Sequence, residues 1–143
     1  MSNKSTGTAF EREFAQMLSD HGFWAHCLKD NANGQPFDVI AARNGVTYVF
    51  DCKDCQGESF KLDRIEENQH NAMVLWEETG NSQGLFAIRI NDKVIIMPHK
   101  MLSALRDNGA KQVKYSDLMH YGRTFERWME LRDKLDKQVV QCW

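Results

Sequence analysis

A chain of 143 residues that is 42% hydrophobic and 27% charged can bury one core without disulfides or a structural metal to staple it. No apolar run approaches the ~20 residues that cross a bilayer, and the opening MSNKSTGTAF lacks the apolar stretch of a secretory signal. The expected setting is therefore the cytoplasm, of a bacterium or of a virus-infected cell, with no membrane partner and with Cys27, Cys52, Cys55 and Cys142 as reduced thiols. A net charge of −2 gives a nucleic-acid partner no support by itself, but leaves room for a basic patch beside an acidic site.

No repeat or low-complexity stretch divides residues 1–143, so one domain is expected. Residues 8–21 read as an amphipathic helix, with Phe10, Phe14, Met17 and Leu18 at helical spacing, Thr8 as N-cap and Gly22 as its stop. A short strand at 23–28 precedes a turn-rich stretch at 29–34. Two β-rich runs then flank Asn44-Gly45, a dipeptide suited to a tight hairpin because both turn positions need positive φ. Residues 62–78 form a second amphipathic pattern, and two further strands at 85–90 and 93–97 meet at Asn91-Asp92. The last pattern, at 123–140, puts Phe125, Trp128, Met129, Leu135 and Val139 on one side of a helix. The order implies an α/β sandwich around a mixed sheet, with the helix at 62–78 crossing between two parallel strands.

The hairpin carries the chemistry. With a two-residue loop Arg43 faces Val46, and counting outward sets Asp38 opposite Asp51. Directly opposed residues hold their Cβ atoms roughly 4.5–5.5 Å apart. Two carboxylates that close repel, or one keeps its proton, unless a hard divalent cation lies between them. Alternation along Tyr48-Val49-Phe50-Asp51-Cys52-Lys53 sends Asp51 and Lys53 to one face. Tyr48, Phe50 and Cys52 go to the other, apolar face, opposite Phe37 and Val39. Lys53 then points into the acidic cleft, where it can orient or deprotonate a water or stabilise charge on a phosphate. The competing reading is an ordinary surface salt bridge; against it, both aspartates sit among apolar, β-branched neighbours.

Pro36-Phe37-Asp38 followed by Asp51-Cys52-Lys53 resembles the PD-(D/E)xK nuclease signature, and Gly7-Thr8-Ala9-Phe10-Glu11 its G-x-x-x-E element. Ser59-Phe60-Lys61-Leu62, Ile65, Asn68-Gln69 and Gly84-Leu85-Phe86-Ala87-Ile88 resemble the pattern of RecU-type Holliday junction resolvases, a compact and phage-sized version of them. The resemblance covers residues 7–97 and leaves a C-terminal helical region at about 100–143. It implies a restriction-endonuclease-like α-β-β-β-α-β core and a homodimeric, Mg²⁺-dependent endonuclease, with Mn²⁺ as substitute, acting on branched or double-stranded DNA in recombination and repair. Glu11, Asp38, Asp51 and the Cys52 carbonyl would hold metal, with Asp38, Asp51, Lys53 and Gln69 catalytic. Gln69 also lies in the Leu62, Ile65, Ala72, Trp76 stripe, where an amide needs a polar cleft or full hydrogen bonding. Periodicity alone does not choose between Glu11 and Glu13. Three departures stand out: Asp51 replaces the usual Glu, Asn68 replaces His in a His-Gln pair, and only about a dozen residues fill the interval that in RecU-type proteins bears a junction-engaging projection.

Two other readings compete. Cys52-Lys53-Asp54-Cys55 has C-x-x-C spacing for zinc or thiol exchange, yet Cys52 is expected in the core and no second pair completes a tetrahedral site. A non-catalytic DNA-binding or assembly module of the same fold would not need the full set of acids plus lysine. His21, His26, His70, His99 and His120 show no ligand spacing and read as surface or helix-end residues, with His70 near DNA.

Overall fold

A computed structural model describes residues 3–28 and 36–139, and side chains within 9–28 and 36–135. The turn expected at 29–34 and the thiol of Cys142 lie outside the described residues. No described helix is long and apolar enough to cross a membrane.

Helix α1 spans Asn3–Asp20, so Thr8 lies inside it rather than at its cap. Phe10, Phe14 and Leu18 recur one turn apart and are buried. Gly22, at φ 83°, ends the helix as expected: the Phe23 N–H donates to Leu18 O and the Gly22 N–H to Ser19 O, the paired bonds of a Schellman stop. Strand β1 follows at Trp24–Cys27.

Strands β2 (Val39–Arg43) and β3 (Val46–Asp54) form the expected hairpin, with Arg43 facing Val46 and Val39 facing Phe50. Asn44 and Gly45 turn at φ 53° and 81°. The ladder stops at Val39, and there the alternation expected for Phe37 fails. Its ring lies 5.8 Å from that of Trp76, on the face opposite Cys52.

The helix expected at 62–78 is shorter. Leu62–Arg64 is a 3-10 turn whose first N–H is held by Lys111 O, Ile65 and Glu66 are extended, and α2 runs Glu67–Glu78. It delivers the chain to β5 (Leu85–Ile90), parallel to β3, and Asn91-Asp92 turn it into β6 (Lys93–Pro98). The small sheet of β4 (Ser59–Lys61) and β7 (Gln112–Lys114) escapes the sequence because three-residue strands have no readable period. Helices α3 (His99–Asp107) and α4 (Tyr115–Tyr121) flank β7. Arg123 and Thr124 join β6 as β8, so α5 runs Phe125–Val139 and starts two residues later than expected. The main sheet has the order β1-β2-β3-β5-β6-β8 and is mixed, as expected.

Each face of this sheet carries a core. On one, α1 and α5 cover β3: Phe14 meets Phe50 edge-on at 4.9 Å, and Trp128 packs on Phe50 and Tyr48. Phe125, Trp128 and Met129 are each 3% exposed, so this part of α5 packs inside its own fold, whereas Leu135 on the same side is 49% exposed. On the other face, Val49, Phe86 and Ile88 pack against Phe60, Met73, Leu102 and Leu118.

Gly122 seals the turn between α4 and β8. A Cβ there would lie 2.8 Å from Ile95 Cγ2 and Met97 Sδ and 2.9 Å from the Leu118 carbonyl, a backbone atom that cannot swing aside. Gly122→Ala is expected to destabilise the fold by about 2 kcal/mol, against no measurable change for Gly57→Ala, where nothing lies within 4 Å. Urea midpoints of the two variants check this.

Candidate active site

Strand β3 is interior to the sheet, and the layers on its two faces bury residues 48–52. Asp51 is fully buried and shares the α2 face of the sheet with Val49, as alternation requires. Lys53, two residues on, places Nζ 3.3 Å from Asp51 Oδ1. The pairing is ionic without hydrogen-bond geometry: neither Asp51 oxygen has a hydrogen-bond partner, though both are buried. Burial pushes the Asp51 carboxyl up to about 8. Lys53 pulls it down in part, and the neighbouring Asp38 carboxylate pushes it up again.

Asp38 reaches this position by leaving the ladder. Its N–H donates to Phe50 O, and its Oδ2 accepts the Cys52 N–H at 2.7 Å. The carboxylate thus takes the place of the next strand residue. Because the N–H and C=O of one strand residue point to the same side, the Cys52 carbonyl is directed to this edge too.

Gln69, in the first turn of α2, accepts Lys53 Nζ at 3.2 Å and the Glu66 N–H at 3.2 Å with the same Oε1. It both caps the helix and steadies the lysine. Its amide is explained by the cleft, and the stripe that drew attention to it is interrupted by the extended residues before Glu67.

The two glutamates of α1 separate clearly. Glu13 is bound to Arg89, whose guanidinium also grips Asp54 through Nε (3.1 Å) and Nη2 (2.7 Å) and lies over the Phe10 ring. Glu11 raises the Cys27 thiol pKa after burial, and adds to Asp38 and Asp51 in raising that of Cys52, which burial dominates. Among the described residues no three His, Cys, Asp or Glu side chains converge into a ready metal cage. The convergence comprises Asp38, Asp51 and main-chain oxygen, with Glu11 on the helix of the other face. Two carboxylates in contact, one of them buried with both oxygens lacking a hydrogen bond, fit a hard divalent cation that completes its shell with water and substrate.

The thiol alternative fails on geometry. Cys52 is buried with the α1 core, and Cys55 packs with the opposite core and accepts from Arg64 at 3.4 Å, so the pair straddles the sheet. His99, the first residue of α3, is a helix-end residue as expected but not a surface one. His99 is 1% exposed, held neutral with a pKa pushed down to about 4 chiefly by burial. Its Nε2 lies 2.9 Å from His70 Nδ1 and 3.1 Å from Ser103 Oγ. A separation of 29 residues carries no local signal for this pair.

The profile of the archaeal Holliday junction resolvase (Hjc) family matches residues 2–134. The chain belongs to that family. Within the nuclease class that the motifs resemble, the family is thus the archaeal Hjc one, where the sequence pattern pointed to the RecU-type branch. The crossover junction endodeoxyribonuclease Hjc of Methanocaldococcus jannaschii is 25% identical over 97 residues, 68% of each chain. The crystal structure of Hjc, a Holliday junction resolvase of Archaeoglobus fulgidus, superposes with a TM-score of 0.66 at 18% identity, covering 87% of this chain and 96% of that one.

Proposed function

We propose that this Hjc-family chain is an endodeoxyribonuclease that resolves four-way DNA junctions by hydrolysis, with Asp38, Asp51, Lys53 and Gln69 as its catalytic set. The observation that carries the reading is the buried Asp51, with two oxygens lacking hydrogen bonds, against Asp38 and Lys53. Glu11, Asp38, Asp51 and the Cys52 carbonyl would hold Mg²⁺, or Mn²⁺ as substitute. When bound, such a cation neutralises the scissile phosphate and acidifies a coordinated water. Lys53 holds the attacking water by hydrogen bonding and counters the charge that grows on the phosphoryl oxygens. Gln69 keeps the Lys53 ammonium in place, and the sheet on both sides of Asp51 excludes bulk water. Displacement is direct, with water as nucleophile. Paired cuts across a symmetric junction call for two copies of the site, hence a homodimer, joined by a surface other than the buried part of α5.

The test is cleavage, with Mg²⁺, of a synthetic four-way junction, a flap and a linear duplex. Paired symmetric nicks in the junction, with the duplex cut at least tenfold more slowly, are expected; an intact junction, or equal cutting of all three, would refute the proposal. In the same assay Gln69→Ala is expected to lower the single-turnover rate about tenfold, because the lysine loses one of its two anchors while keeping its charge.

A further inference from the structure

At the end of the sheet, a cavity of about 400 Å³ opens between the start of β5, the end of β6, α3, the α4–β8 turn and α5. Its floor is apolar, with Leu85, Ile96 and Met101, while His120, Arg123 and Arg132 form the rim. No carboxylate lines it. The two other clefts described differ in this: Glu77, Glu78 and Asp107 line the one between α2 and α3, and Glu58 lines the one beside β4.

Arg132 is the informative residue. Its guanidinium lies 5.3 Å from the Trp128 ring and 5.9 Å from the Tyr48 ring, and its Nε is buried without a hydrogen bond. The guanidinium lies by two rings, and its Nε–H meets no acceptor within the protein. Guanidinium edges are matched by the paired oxygens of phosphate or carboxylate groups. Gly122 and its tight packing hold the Arg123 side of the rim in place. Tyr121, 48% exposed beside the rim, adds an aromatic surface on which a planar ring can lie.

We propose that this cavity binds a nucleoside monophosphate unit, its phosphate on Arg132 and Arg123 and its base over the apolar floor. A volume of 400 Å³ suits one such unit rather than a duplex. The unit comes either from a free mononucleotide or from an unpaired residue of a strand. The site does not depend on the nuclease reading, because it shares no residue with the Asp38, Asp51, Lys53 and Gln69 set.

Isothermal titration of the full chain in EDTA, with dAMP, inorganic phosphate, deoxyadenosine and a short oligo(dT), tests it. Saturable dAMP binding is expected, at least tenfold tighter than phosphate or deoxyadenosine alone, and Arg132→Gln and Arg123→Gln should each weaken it about tenfold. Arg123 is exposed, so its variant answers the question even if Arg132→Gln disturbs the packing on Trp128. Oligo(dT) binding that falls in the same variants assigns the unit to a strand; dAMP binding alone assigns it to a free nucleotide; either outcome supports the site. No dAMP binding at millimolar concentration, equal binding by both variants, or binding lost in Asp51→Asn would overturn it.

Discussion

Asp51→Asn is expected to abolish cleavage, by at least about a thousandfold, and at the same time to stabilise the metal-free protein at alkaline pH. The two effects have one cause. A carboxyl whose pKa in the fold lies above its unfolded value favours the folded state while it keeps its proton. For Asp51 that contribution is complete below the ordinary carboxylate range and is lost as pH rises towards about 8. The wild-type chain in EDTA should therefore lose stability between pH 5 and pH 8 relative to Asp51→Asn, which has the same shape and no charge to bury. A difference of about 2 kcal/mol is the expected order, since Lys53 offsets part of the burial. Added Mg²⁺ should restore the wild type at pH 8 and leave the variant unchanged. Denaturant unfolding at the two pH values, with and without Mg²⁺, measures all of this. Parallel pH curves for wild type and variant would remove the basis for a cation at Asp51.

Lys53→Met should lower single-turnover cleavage of a four-way junction by about 10²–10⁴-fold while changing DNA affinity only a few-fold. Methionine keeps the apolar stem that passes through the core and removes the ammonium that meets Asp51 and Gln69. Its loss acts twice. The water and the phosphoryl oxygens lose a cation, and the Asp51 carboxyl, which Lys53 pulls down, rises further. The residual activity should accordingly shift to higher pH than in the wild type, because the carboxyl must lose its proton before it can serve as a ligand. Cleavage time courses from pH 6 to pH 9, beside a binding isotherm, separate the two effects. A rate within tenfold of wild type at pH 7.5 would take Lys53 out of the reaction.

Elements whose information is local were legible from the residues alone. Positive φ at Asn44 and Gly45 pins a two-residue loop, the loop pins the register, and the register with a period of two puts Asp51 and Lys53 on one face. The buried stripe of α1, the Gly22 stop and the parallel crossover through α2 follow from spacing in the same way. Tertiary contacts decided what spacing leaves degenerate. Glu11 and Glu13 flank the same stripe, and only the arrival of Arg89 from β5 assigns Glu13 to an ion pair. The apolar side of α5 suits a partner or a core equally well until β3 and α1 close over Trp128. The Asp38 carboxylate sits on Cys52 N–H because the ladder ends at Val39, an event set by where the chain enters the sheet rather than by alternation. His70 meets His99 because α3 packs against α2, a contact between segments far apart in sequence. Periodicity encodes which way a side chain faces, and packing alone determines which distant group it meets there.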